Sequence, residues 1–147
     1  MKTLIVYDST YGNTEKVAQA IGQAIAAEVR RAGSVSTSDL KAFDLVIIGS
    51  PTMGGRPTEA IQGLLKTAGS ALQGVSAAAF DTRLTARWVR IFNYAAPRIA
   101  ASLKEMGAAL LGSPEGFFVL GKEGPLKEGE IERAAGWAKE IVKSKTR

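Results

Sequence analysis

The chain has 147 residues, 46% of them apolar, and carries 19 Lys and Arg against 14 Asp and Glu for a formal charge of +5. It contains no cysteine and no histidine. That excludes disulfides, thiolate nucleophiles, cysteine zinc sites, iron–sulfur clusters and every Ser-His-Asp arrangement. Any chemistry must come from a borrowed cofactor or a few carboxylates.

The apolar run ending at Tyr7 is too short for a signal segment or a membrane span, so a soluble cytoplasmic protein is expected. Leu4-Ile5-Val6 reads as a strand buried on both faces. A polar loop, Asp8 to Thr14, leads into a helix marked by Val17, Ile21 and Ile25, with Thr14 as its N-cap. Glu28-Val29-Arg30-Arg31 predicts a short strand whose charges suit a sheet edge. Ser36 to Phe43 holds at most one helical turn, capped by Thr37 or Ser38. Asp44 to Gly49 contains the strongest strand. After the Gly/Pro loop Ser50 to Pro57, Thr58 caps a helix carrying Ile61, Leu64, Leu65 and Ala68, which Gly69 ends. Ala77 to Phe80 reads as a strand of small residues, although the same residues are compatible with a helix. A long loop is expected from Asp81. After Pro97 a helix turns Ile99, Leu103 and Met106 inward. Leu110-Leu111 and Phe117 to Leu120 read as two parts of one last strand, broken near Pro114. The last helix points Ile131, Ala135, Ala138 and Val142 inward. Its cations Lys139, Lys143, Lys145 and Arg147 suit a helix C-terminus.

This alternation implies one α/β domain over residues 1–147, with parallel strands and helices on both faces. Ligands bind such sheets at the carboxyl ends of the strands. The loops after Tyr7, Gly49 and Phe80 are therefore the expected site. In the first, Ser9, Thr10, Tyr11, Gly12, Asn13 and Thr14 combine hydroxyls and a glycine at a helix start, where N–H groups bind an anion. The loop holds no Lys or Arg. Neither Gly-x-x-x-x-Gly-Lys-Ser/Thr nor Gly-x-Gly-x-x-Gly is present. Asp8 and Gly49-Ser50 lack the paired acids of a phosphorylatable receiver. A Ser/Thr-rich helix cap remains an equal reading of these residues alone.

The run Tyr7-Asp8-Ser9-Thr10-Tyr11-Gly12-Asn13-Thr14-Glu15-Lys16 resembles the phosphate loop of the flavodoxins, whose pattern is Ser/Thr-x-Thr-Gly-x-Thr. Tyr11 stands where that pattern often has Thr. Asp44-Leu45-Val46-Ile47-Ile48-Gly49-Ser50-Pro51-Thr52 resembles the family's third strand and second flavin loop. The resemblance covers the whole chain at short-chain flavodoxin length. It implies a flavodoxin-like three-layer sandwich with a five-stranded parallel sheet in order 2-1-3-4-5. It also implies FMN, held without a covalent bond, and one-electron transfer. Carried over by position, Ser9 to Thr14 would hold the phosphate. Pro51, Thr52, Met53, Gly54 and Gly55 would border the ribityl chain and the N5 edge. Asp81, Thr82 and Arg83 would line the pyrimidine edge. Gly54 and Gly55 permit a peptide to turn over near N5, which would set the gap between the two one-electron potentials.

The chain departs from the family in its charge and its aromatics. No aromatic lies between Ser50 and Pro57, whereas the third loop holds Trp88, Phe92 and Tyr94. Trp88 reads first as a packing anchor. Arg83, Arg87 and Arg90 would favour the reduced anion, giving a less reducing low-potential couple and a redox partner with an acidic docking face. The stretch from Trp88 to Tyr94 reads mainly as a basic rim, and no nucleic-acid motif accompanies it. Other functions on this fold are an FMN-dependent NAD(P)H or quinone reductase, and an interaction module without flavin.

Overall fold

The computed structural model describes residues 1–85 and 94–146. In chain order the elements are β1 (Thr3–Tyr7), α1 (Asn13–Ile25), β2 (Glu28–Arg31), α2 (Thr37–Leu40), β3 (Leu45–Pro51) and α3 (Glu59–Ala68). There follow β4 (Ser76–Leu84), α4 (Ala95–Glu105), β5 (Ala109–Leu110), β6 (Glu115–Val119) and α5 (Glu130–Thr146). All strand pairs are parallel, and the order is β2-β1-β3-β4-β5, with β6 also on β4.

The predicted broken last strand is present. β5 pairs with Ser76 and Ala77, and β6 with Phe80 to Leu84, so the two occupy one sheet position in succession. β2 lies at the sheet edge, with its residues exposed or half-buried.

Strand alternation sorts the core into two layers. Leu4, Val6, Val46, Ile48 and Ala79 meet Ile61 and Leu64 of α3 and Ile99 and Leu103 of α4. Ile5, Ile47, Ala78, Phe80 and Phe117 meet Val17 and Ile21 of α1 and Ala138 and Ile141 of α5. Phe80, Phe117 and Trp137 pack edge to face at about 6 Å between centroids. A Cβ on Gly49 would overlap the Phe80 ring, so the strand needs glycine there for close approach.

Several boundaries differ from expectation. Gly12, not Thr14, is the N-cap of α1. Ser36 caps α2 in a reciprocal box with Asp39, in place of Thr37 or Ser38. β4 runs on to Leu84 where a loop was expected at Asp81, because β3 and β6 pair with it on either side. α4 begins at Ala95, with Pro97 inside its first turn, where a missing N–H leaves no bond unmade. Thr58 does cap α3, but only by backbone position, and Gly69 ends that helix at φ 55.

In α5 the buried stripe is Ala134, Ala138 and Ile141, while Ile131 is 38% exposed. The cause is Glu130, which faces inward. Its carboxylate accepts the N–H of Phe118 at 2.7 Å and pairs with Arg133 at 2.7 Å, which turns the apolar stripe away from Ile131. The Arg133 guanidinium, helped by that N–H, outweighs burial and holds Glu130 below its ordinary 4.5. A depressed carboxyl stabilises the fold above its unfolded value and loses that contribution as pH falls through the folded one. Glu130→Gln is expected to flatten the fall of the urea midpoint below pH about 4.5. An unchanged acid slope would refute this role.

Candidate functional site

The site grows from the end of β1. The buried Tyr7 donates its hydroxyl to Glu15 at 2.9 Å, and the Arg31 guanidinium lies 5.2 Å above the Tyr7 ring. Burial, then the neighbouring Glu15, raises the Tyr7 phenol above its ordinary value. From edge strand β2, Arg31 also donates to the Asp8 carboxylate at 3.2 Å and the Ser9 carbonyl at 3.0 Å. The edge strand thereby pins the first loop.

Within that loop the Ser9 hydroxyl accepts the N–H of Gly12 at 3.0 Å and of Glu15 at 3.4 Å. Its own proton is left to donate outward. Gly12 turns the chain into α1 at φ 93, a conformation L-residues avoid. Among the described residues, no acceptor faces the N–H groups of Thr10, Tyr11, Asn13 and Thr14. Free N–H groups at a helix start, carrying the positive end of its dipole, form an anion cradle.

The hydroxyls of Asn13's neighbour Thr14 and of Thr82 share a buried hydrogen bond of 2.8 Å, tying α1 to β4. The Asn13 side chain donates to the Glu123 carbonyl at 3.2 Å. Gly124 lies so close to Asn13 that a Cβ would come within 2.7 Å of Oδ1. Asn13 therefore offers the cradle its backbone, while its side chain holds the loop after β6. That contact brings Lys122 to the cleft. Lys122 lies outside the three loops, after Tyr7, Gly49 and Phe80, that the sequence marks as the site, and no local motif announces it. The predicted strand order was the available signal, since it brings the loop after the last strand to the same sheet edge.

The cleft itself is bounded by the first loop, by Pro51, Thr52 and Met53, by the end of β4, and by Val119 and Lys122. Its volume is about 90 Å³, the scale of a phosphate group rather than a whole mononucleotide. Thr82 and Arg83 line it, as do Ser9, Thr10, Tyr11, Asn13 and Thr14. Asp81, Gly12, Gly54 and Gly55 are not among its walls.

The second loop is a tight hairpin. Met53 and Arg56 exchange both backbone hydrogen bonds, at 2.8 and 3.1 Å. Gly54 and Gly55 sit between them at φ 58 and 79, the signs of a primed turn. Thr52 stands at the cleft edge, and its hydroxyl accepts the N–H of Ala95 at 3.1 Å.

Asp81 turns to the other face of the sheet. Fully buried, it accepts both Nε and Nη2 of Arg83 at 2.7 Å and the N–H of Ala96 at 2.9 Å. Burial pushes its carboxyl up against the opposing pull of Arg83 and of that N–H. Together Thr52, just after β3, and Asp81, in β4, cap the start of α4. Arg83 stacks on the Tyr94 ring at 3.7 Å, and the missing side chain of Gly116 makes room for its guanidinium. Because Asp81 neutralises Arg83, that residue raises a nearby potential less than a free cation would. Arg87, Trp88, Arg90 and Phe92 lie outside the described residues.

The fold defines a doubly wound α/β protein that presents, at the carboxyl ends of its strands, N–H groups without acceptors among the described residues. The flavodoxin family model matches residues 5–137, and the chain belongs to the flavodoxin family. Members of that family are FMN-binding flavoproteins, so FMN is the cofactor the family assigns. Among solved structures the chain is similar to a flavodoxin from the domain Archaea, at 23% identity and a TM-score of 0.82, covering 99% of each chain. It is also similar to flavodoxin 2 from Bacillus cereus, at 24% identity and a TM-score of 0.81, covering 97% of this chain and 99% of that one. A third likeness is to rubredoxin oxygen:oxidoreductase from Desulfovibrio gigas, at 21% identity and a TM-score of 0.74, covering 97% of this chain but 35% of that one. No curated protein sequence matches the chain. Among the described residues, no helix is long and apolar enough to cross a membrane.

Proposed function

We propose that residues 1–147 act as one FMN-binding domain that carries electrons between redox partners in the cytoplasm. The observation that carries this reading is the set of unpaired N–H groups at Thr10, Tyr11, Asn13 and Thr14, beside the Ser9 hydroxyl. These groups match the needs of a phosphate ester, and Lys122 adds a full charge at the same cleft. The donor set therefore fits the phosphate end of FMN. When bound, the flavin takes up and releases electrons one at a time, and the protein supplies position and electrostatics.

In this reading the first loop holds the phosphate. Pro51, Thr52 and Met53 border the ribityl chain, and the Met53–Arg56 hairpin lies beside N5. With glycine at both central positions, the Gly54–Gly55 peptide can turn over without a steric penalty. Alanine at either site would be held at positive φ, at roughly 1–2 kcal/mol. Gly54→Ala and Gly55→Ala are thus expected to change the gap between the two one-electron potentials by energy of that order. Redox titration that finds both potentials unmoved in both variants removes the hairpin from this role.

An acidic docking face on the redox partner would suit the basic balance of this chain. The deciding experiment is a visible spectrum of the purified protein before and after adding FMN and desalting. Retained yellow colour with quenched flavin fluorescence supports the reading, and a colourless protein overturns it. Steady-state NAD(P)H oxidation by the loaded protein would instead favour a reductase.

A further inference from the structure

A groove of about 390 Å³ runs between α3 and α4, outside the cofactor cleft. Pro57, Leu65 and Met106 line it with apolar surface. Arg56, Lys66 and Arg98 also line it, against one acid, Glu105. The pairing of arginines elsewhere makes this arrangement informative. Among the described residues, Arg30, Arg31, Arg83 and Arg133 all form ion pairs with carboxylates. The two other described arginines, Arg56 and Arg98, have no such partner there, and both line this groove.

The groove also neighbours the cofactor cleft through an intervening hollow. Arg56, Pro57 and Gln62 line both the groove and the hollow at the start of α3. That hollow shares Thr10 and Met53 with the cleft. Arg56 is moreover bonded through its backbone to Met53 in both directions. An occupant of the groove therefore reaches the hairpin that borders the cleft.

We propose that the α3–α4 groove is the docking seat for an acidic segment of the redox partner. Arg56 and Arg98 take its carboxylates, and its apolar side chains rest on Leu65 and Met106. Free guanidiniums over an apolar floor select carboxylates interleaved with apolar residues. That the partner is a redox protein rests on the electron-carrier reading, whereas the docking chemistry does not.

The test uses the full chain with FMN added, and a labelled peptide of alternating glutamate and leucine followed by fluorescence anisotropy at low salt. Binding is expected to weaken as salt rises. Arg56→Glu and Arg98→Glu are each expected to reduce it about tenfold. Lys139→Glu, on α5 across the sheet, should leave it unchanged. The same peptide with glutamine for glutamate should not compete. Equal affinity in all variants, equal competition by the glutamine peptide, displacement by inorganic phosphate at matched charge, or no binding would each overturn the proposal. Flavin absorbance in the same samples reads the cofactor separately. Peptide binding that depends on Arg56 and Arg98 in a chain that does not retain FMN upholds the docking seat while overturning the carrier reading.

Discussion

Asp81→Ala is expected to lower stability by about 3–5 kcal/mol, the range for removing one member of a buried ion pair. At about 2–4 °C per kcal/mol for a chain of this size, the melting temperature should fall by on the order of 10 °C. The size of the effect follows from how many groups depend on one carboxylate. Arg83, with 16% of its side chain exposed, would lose both of its hydrogen bonds to carboxylate oxygens. The N–H of Ala96 would lose its acceptor at the start of α4. Asp81→Asn keeps an acceptor for that N–H and should cost less. Replacing Asp81 and Arg83 together by apolar residues should recover part of the loss, because a whole buried pair often exchanges for packing at little net change. Urea or thermal unfolding checks this. A loss under about 1 kcal/mol for Asp81→Ala would mean that water reaches the pair and screens it.

The second large effect concerns the cradle. Ser9→Ala removes the hydroxyl that accepts from Gly12 and Glu15 and whose proton stays free to donate. A hydrogen bond to a charged group contributes about 1.5–3 kcal/mol, so FMN affinity should fall about ten- to a hundredfold. Gly12→Val should act in the same direction, by forcing a β-branched residue to the φ of 93 now held by glycine. Riboflavin, which has no phosphate, is the discriminating ligand. Its affinity should stay within about twofold in the Ser9→Ala variant. If FMN and riboflavin weaken together, the loop acts on the cleft as a whole and not on the phosphate.

Arg31 extends this logic to the sheet edge. It bonds the Asp8 carboxylate and the Ser9 carbonyl from β2, so the loop's shape depends on a residue that contributes nothing to the cleft wall.

Much of the fold was legible because its signals are local. Continuous apolar runs such as Leu45 to Ile48 mark strands buried on both faces, and the spacing of Val17 and Ile21 marks one face of a helix. The break between β5 and β6 was readable from Pro114. The turn of hydroxyls and glycine that starts α1 was readable too, since its residues are contiguous in sequence.

What the sequence hid depends on partners far along the chain. Nothing near Thr14 announces that its hydroxyl meets Thr82, 68 residues away, or near Asn13 that its amide meets Glu123, 110 residues away. Taken alone, Asp81 reads as a loop acid. Only folding places Arg83 and the start of α4 around it, which allows a charge to remain in the sheet. The inward turn of Glu130 and the pairing that leaves Arg56 and Arg98 unmatched arise in the same way.

Composition and periodicity by themselves determined the α/β class, the absence of cysteine or histidine chemistry and the polar glycine loop at the start of α1, while the strand order followed from the motifs shared with the flavodoxins. Tertiary structure decided which polar groups of that loop remain free, which arginines are neutralised, and where the remaining cations gather. The reason is physical. Hydrophobic spacing and turn chemistry act over a few residues, whereas ion pairs and trans-capping depend on through-space distance, which the chain acquires only when the sheet has formed.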